Sequence, residues 1–149
     1  MKVEIRECRL SDCNDIYELN KNEMGYDYPC EDTYKKLIKL IKSKSDKIFV
    51  AVSDNKTIGY IHINDYESIY APPMKNIMGI AVAEKYKRQG IGRKLMNEAE
   101  NWAKDTGAYA IRLVSGAERK GAHEFYYSCG FEKTKEQLNL KKKLHQDPQ

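Results

Sequence analysis

The chain reads as a single α/β domain built around one mixed β-sheet. Three observations predict this. Its 149 residues suffice for one domain that buries roughly two-thirds of the surface its unfolded form would expose. Short alternating or β-branched runs are interleaved with segments of helical period. A content of 41% hydrophobic and 32% charged residues fits a globular domain rather than a disordered one.

The elements follow in order. Val3 and Ile5 alternate with charged residues as a first strand. Ser11 stands as an N-cap before Asp12 and Asp15, and Ile16, Leu19 and Met24 continue at helical spacing. Tyr34, Leu37, Ile38 and Ile41 form the apolar stripe of a second helix whose other face is lysine-rich. Ile48 to Val52 and Thr57 to Ile63 read as strands joined through Asp54-Asn55-Lys56, which makes a hairpin. The nearly unbroken apolar run from Asn76 to Val82 predicts a strand buried on both faces. A basic, glycine-bearing turn leads into a long helix with Ile91, Leu95, Ala99, Trp102 and Ala103 inward and Gly107 as its stop. Ala110 to Val114 is a further strand, and Ala122, Phe125, Tyr126 and Cys129 mark a short helix ended by Gly130. Phe131 to Leu144 is expected to supply one or two closing strands, and His145 to Gln149 a loose tail. The order βααββ, βαβα, then β or ββ shows no repeat or linker.

Composition excludes some functions. No run approaches the ~20 apolar residues of a membrane span, and Met1 to Glu7 lacks the apolar core of a signal peptide. A cytoplasmic protein is the expectation. Cys8, Cys13, Cys30 and Cys129 show no C-x-x-C spacing and do not cluster with the three histidines, so no metal site is expected.

The sharpest local feature is Lys87-Arg88-Gln89-Gly90-Ile91-Gly92-Arg93-Lys94, between a strand and a helix. A helix start offers unpaired N–H groups and a favourable dipole to an anion. Glycines let the backbone approach it, and the cations add charge. These parts suit a diphosphate. Walker A spacing is absent, and Leu95 stands where a dinucleotide fingerprint requires glycine or alanine.

From Asn76 to Phe131 the chain resembles the GNAT superfamily of N-acetyltransferases. Lys87-x-x-Gly90-x-Gly92 is similar to that family's motif A, Gln/Arg-x-x-Gly-x-Gly/Ala. Ala122-x-x-Phe125-Tyr126-x-x-x-Gly130-Phe131 resembles its motif B, in the expected order. The resemblance implies the acyl-CoA N-acyltransferase fold, a mainly antiparallel sheet flanked by helices, and acetyl-CoA as the acetyl donor. It implies that Ile80, Ala81 and Val82 bind the pantetheine arm as an added strand. Lys87, Arg88, Gln89, Gly90, Ile91, Gly92 and Arg93 would hold the pyrophosphate, and Tyr126 would lie beside the thioester sulfur. Lys87 departs from the usual Gln or Arg. Arg119 stands where many members carry an asparagine that touches the cofactor.

Amine acylation needs a neutral amine, a stabilised oxyanion and a proton for the departing thiolate. A tyrosine, neutral at pH 7, can supply that proton, so Tyr126 is the candidate acid. A main-chain N–H near Ile80 or Val82 is the expected oxyanion donor. Asp65 and Glu67 are candidate bases, and His62 is another. The acceptor half is read from charge. Glu84 to Lys94 carries one acid and five bases, whereas Glu23 to Tyr34 carries four acids and no Lys or Arg. Tyr60 to Pro73 adds Asp65 and Glu67, and these two acidic stretches hold six of the eleven tyrosines. The resemblance implies that the loop between the first helices and the edge of the central hairpin face the acceptor, so Tyr26, Asp27, Tyr28 and His62 are expected to receive a small cationic amine. Tyrosines set among acids rather than lysines are the wrong pattern for base stacking, which excludes nucleic acid. A non-catalytic acyl-CoA-binding domain and a protein acetyltransferase remain the alternatives. A strand at the C-terminal edge would favour a homodimer.

Overall fold

The computed structural model describes residues 2–145, which fall into two compact units divided after Gly116. The first unit carries a five-stranded sheet whose spatial order equals its chain order. The strands are β1 (Glu4–Glu7), β2 (Asp46–Ser53), β3 (Lys56–Tyr66), β4 (Met74–Val82) and β5 (Ala110–Arg112). All neighbours run antiparallel except β4 and β5, which are parallel because a helix connects them. That helix is α3 (Ile91–Asp105); α1 (Cys13–Met24) and α2 (Cys30–Lys42) lie between β1 and β2 in the chain.

Alternation along the strands divides the core. Val50 and Tyr60 are register partners, and both pack with Ile16 and Leu19 of α1 and Leu37 of α2. The neighbouring position, Gly59, faces the other way, where an added Cβ would lie 3.4 Å from Leu95 of α3 and 3.0 Å from the Ala81 carbonyl. The β2–β3 hairpin turns on Asp54 and Asn55, both at positive φ (50° and 61°), as a two-residue turn between twisted strands requires.

Asp12 ties this unit together. Its buried carboxylate accepts both Arg6 guanidinium hydrogen bonds (2.8 and 2.9 Å), the Arg9 amide (2.8 Å) and the Thr57 hydroxyl (2.6 Å). Burial alone would raise its pKa, but these donors outweigh it and hold the carboxyl below the usual range. Asp12, rather than Ser11, thus organises the entry to α1, through a short 3-10 turn over Leu10–Asp12.

Three further expectations change. In α2 the buried line is Thr33, Leu37 and Leu40, with Tyr34 and Ile41 exposed. Thr33 can be buried because its hydroxyl donates to the Pro29 carbonyl at 3.1 Å. β4 is not buried on both faces: Met78, 57% exposed, is the unmatched residue where the β3–β4 register shifts between Gly79 and Ile77. β5 stops at Arg112 instead of Val114.

The second unit contains α4 (Lys120–Ser128), ended by Gly130 at φ 95°. Phe131 to Leu144 forms no strand, and Leu138, Leu140 and Leu144 are exposed. The pattern there is not enough to make a strand, since pairing rather than pattern makes a sheet. The homodimer expectation loses the edge strand it drew on. His145 is exposed, and the remainder of the expected tail lies outside the described residues. Among the described residues no helix is long and apolar enough to cross a membrane, and no group of acids, histidines and cysteines is placed to hold a metal ion.

Candidate active site

The site begins at the sheet edge. β4 pairs with β5 only through Met74, Lys75 and Asn76, while its pairing with β3 continues to Val82. From Ile77 to Val82 the outer side of β4 therefore has no strand partner among the described residues, and Ile80, Ala81 and Val82 lie on this stretch. A strand edge with unpaired N–H and C=O groups is a template for an extended, amide-bearing ligand.

The same strand runs into the basic turn. A 3-10 turn over Glu84–Tyr86 is followed by Lys87, then by Arg88 at φ +64° and Gly90 at φ +79°, and α3 starts at Ile91. Gly90 takes the left-handed conformation at little cost, and an added Cβ would meet nothing within 4 Å, so space lies open beside the backbone. Ile91 and Leu95 are buried, which anchors the first turn of α3 in the core. The first intrahelical bond runs from the Lys94 amide to the Gly90 carbonyl at 3.1 Å. Amides ahead of Lys94 have no intrahelical acceptor, as at any helix start. Gln89, Gly92 and Arg93 lie in this stretch, and Arg88 is exposed beside it. Lys87 is oriented differently, its ammonium pairing with Glu23 and Glu84, both at 2.9 Å.

The three candidate bases have distinct surroundings. Asp65 pairs with buried Lys75, whose ammonium also lies 4.3 Å from the Trp102 ring centroid. His62 Nε2 lies 2.8 Å from Asp46 Oδ1, and the Ser43 hydroxyl donates to the same Asp46 at 2.7 Å. Burial would raise the Asp46 pKa, but His62 and Ser43 together hold it below the ordinary range. Glu67, just past β3, is exposed and has no ion-pair partner among the described residues.

Tyr26, Asp27 and Tyr28 occupy the connection between α1 and α2, entered through Gly25 at φ 75°. The Tyr26 amide donates back to the Asn20 carbonyl at 2.9 Å, and the Tyr17 hydroxyl donates to Asp27 at 2.7 Å. Both tyrosine rings of this segment are exposed. Their neighbour Tyr60 is buried, and its hydroxyl donates to Asn20.

In the second unit, Tyr126 makes edge-on ring contacts with Phe125 (5.6 Å) and Phe131 (6.0 Å). Burial raises its pKa, and the Arg119 charge lowers it by less, so the phenol stays protonated at neutral pH. Arg119 is the exposed residue at the start of α4. Sequence reading missed the partners Glu23, Asp46 and Lys75. Each joins the site through pairing between separate elements, and no local spacing marks them.

A parallel β4–α3–β5 unit on an antiparallel meander, with a phosphate-suited turn between β4 and α3, is the architecture that the resemblance implied. The chain belongs to the acetyltransferase (GNAT) family, whose model matches residues 13–131. An uncharacterised N-acetyltransferase of Methanocaldococcus jannaschii is 35% identical over 95 residues, covering 62% of this chain and 42% of that protein. The chain therefore spans about two-fifths of that relative's length. An aminoglycoside N(6')-acetyltransferase type 1 of Stenotrophomonas maltophilia is 26% identical over 109 residues, covering 70% of this chain and 71% of that one. In fold, the chain is similar to the aminoglycoside acetyltransferase AAC(6')-Iy solved with a CoA–acetylneamine bisubstrate analogue. The TM-score is 0.85 at 16% identity, covering 96% of this chain and 99% of that one.

Proposed function

We propose that this chain transfers the acetyl group of acetyl-CoA to a primary amine of a small cationic molecule, with residues 1–149 acting as one catalytic domain. The observation that carries this reading is the outer edge of β4, which among the described residues has no strand partner from Ile77 onward and leads into the Arg88–Gly92 turn. The amide-bearing pantetheine arm suits the edge at Ile80, Ala81 and Val82, and the pyrophosphate suits the amides and cations of the turn. The family match runs across both units, which supports one domain.

In the proposed reaction the neutral amine attacks the thioester carbonyl carbon of bound substrate. A C–N bond forms, the C–S bond breaks, the nitrogen gives up a proton to a base, and the thiolate accepts one. Tyr126 donates that proton, and a main-chain N–H near Ile80 or Val82 faces the developing oxyanion. Glu67 is the base candidate whose carboxylate is not already paired. Tyr26, Asp27 and Tyr28 attract the cationic acceptor, and His62, held by Asp46, lines the sheet on the face of α1 and α2. The aminoglycoside acetyltransferase relative supports a small polyamine acceptor. An N-alpha-acetyltransferase of Saccharolobus solfataricus, 26% identical over 141 residues, favours a second reading in which a peptide N-terminus is the acceptor.

A thiol-release assay with acetyl-CoA over polyamines, aminoglycosides, amino acids and peptides tests this, beside the melting temperature with coenzyme A. A ligand that binds only the folded state raises that temperature. No shift at millimolar coenzyme A overturns the donor assignment. A shift without turnover on any amine leaves a binding domain, and turnover on peptides alone replaces the small-molecule acceptor.

A further inference from the structure

We infer that Glu23 is a positioning residue for the anion-binding turn, and that Lys87 serves as its partner in that task rather than as a ligand of the pyrophosphate. The inference rests on the proposed role of the turn and deepens it.

Glu23 is the penultimate residue of α1, and its side chain is only 12% exposed. One carboxylate oxygen accepts the Glu84 backbone N–H at 3.0 Å, and the other meets the Lys87 ammonium at 2.9 Å. Glu84 opens the 3-10 turn, so its amide lacks a partner within that turn, and the preceding Ala83 has no side chain able to cap it. Glu23 supplies that cap from another element. It thus holds the turn at its first residue and again at Lys87, which closes it.

The next residue shows why this hold matters. Arg88 sits at φ +64°, a left-handed conformation that a residue with a Cβ rarely adopts. Such strain persists where surrounding contacts over-determine it. The Lys87–Glu23 and Lys87–Glu84 pairs fix the residue immediately before the strained one. They therefore fix the direction in which the Arg88 to Arg93 amides leave the turn.

The charge balance also argues against Lys87 as a phosphate ligand. One ammonium faces two carboxylates, and these partners raise its pKa, Glu84 first and Glu23 next. The trio carries a net negative charge, so its cation is already spoken for. Removing Lys87 would leave two carboxylates facing an incoming polyanion.

Coenzyme A titrations of Glu23→Gln, Lys87→Met and the double variant test the idea, with melting temperature and circular dichroism as folding controls. Each single variant is expected to weaken coenzyme A about 5- to 20-fold. The double variant should be no weaker than the weaker single one, because both remove the same pair. With acetyl-CoA varied at a saturating amine acceptor, Glu23→Gln should raise KM for acetyl-CoA and leave kcat within about two-fold, a split that a general loss of folding would not produce. If Lys87 were a phosphate ligand, Glu23→Gln would release it and tighten binding, so equal or tighter binding overturns the inference. Should Glu23→Gln fail to fold, the surface variant Lys87→Met decides through hydrogen exchange: unchanged protection of the amides from Glu84 to Gly92 overturns it. Wild-type protein that does not bind coenzyme A removes the proposed function, whereas wild-type binding with an unaffected Glu23→Gln removes only the role of Glu23.

Discussion

Tyr126→Phe separates catalysis from packing. The Tyr126 ring contacts Phe125 and Phe131 edge-on at 5.6 and 6.0 Å, and phenylalanine preserves both contacts. Its hydroxyl has no hydrogen-bond partner among the described residues, so deleting it should change stability by no more than about 0.5 kcal/mol. The phenol is kept protonated by burial, which outweighs the Arg119 charge, so at neutral pH it can donate. If the donor protonates the leaving thiolate, its loss should lower kcat by about 10²–10⁴, or about 2.7–5.5 kcal/mol on the barrier. The Kd for acetyl-CoA should change little, because the interaction strengthens mainly in the transition state. A thiol-release assay under saturating substrates reads kcat, and calorimetric titration reads Kd. Tyr127→Phe, at an exposed position on the same helix, is the control and should match wild type. Retention of most of kcat by Tyr126→Phe would refute the acid role and return Tyr126 to its aromatic cluster.

Gly90→Val and Gly92→Val should weaken coenzyme A binding at least ten-fold, and Lys94→Ala by no more than about two-fold. Valine adds a branched side chain at or beside the left-handed turn residue, whereas Lys94 contributes only a solvent-screened charge; equal losses in titration would mean a diffuse charge patch. Asp12→Ala should cost about 3–5 kcal/mol in urea melts at pH 7, since it strands the Arg6 guanidinium. The lowered Asp12 pKa gives stability that is present above the unfolded carboxylate value of about 3.9 and lost as pH falls through the folded value. Asp12→Asn should therefore flatten the acid limb of the stability profile, and an unchanged limb would count against the pairing. If Asp27 and its neighbours attract the acceptor, KM for a polyamine should rise with salt while KM for a neutral-bodied monoamine does not. A best substrate that is anionic would show that idea to be wrong.

Much of the fold is legible in the sequence because its signals are local. The Asp54-Asn55 turn and the α3 stripe through Ile91, Leu95 and Ala99 each declare themselves within one element. The misreadings share a cause, which is that pattern alone does not report a neighbour. Thr33 replaces Tyr34 in the buried line of α2 because the Pro29 carbonyl satisfies its hydroxyl. Met78 is turned outward by a register shift that depends on β3. Phe131 to Leu144 reads as strand in the sequence yet forms none. The turn from Lys87 to Gly92 is readable because its parts are contiguous, yet the Lys87 ion pairs are not. Glu23 lies on another helix, and only folding brings it to the turn. The same holds for Asp65 and His62, whose partners Lys75 and Asp46 come from adjacent strands.

The short parallel pairing of β4 with β5 has an energetic side. Each of the central pairings, β2 with β3 and β3 with β4, joins eight residue pairs, whereas β4 and β5 share three, reached only after the chain has closed a loop through α3. Few ladder bonds and a non-local closure make this border open at less cost than the central pairings. Whatever lies along β4 beyond Asn76 adds bonds where the described strands make none. A ligand there would act as the missing length of a strand, and its arrival should slow amide exchange in β5 as well as along β4.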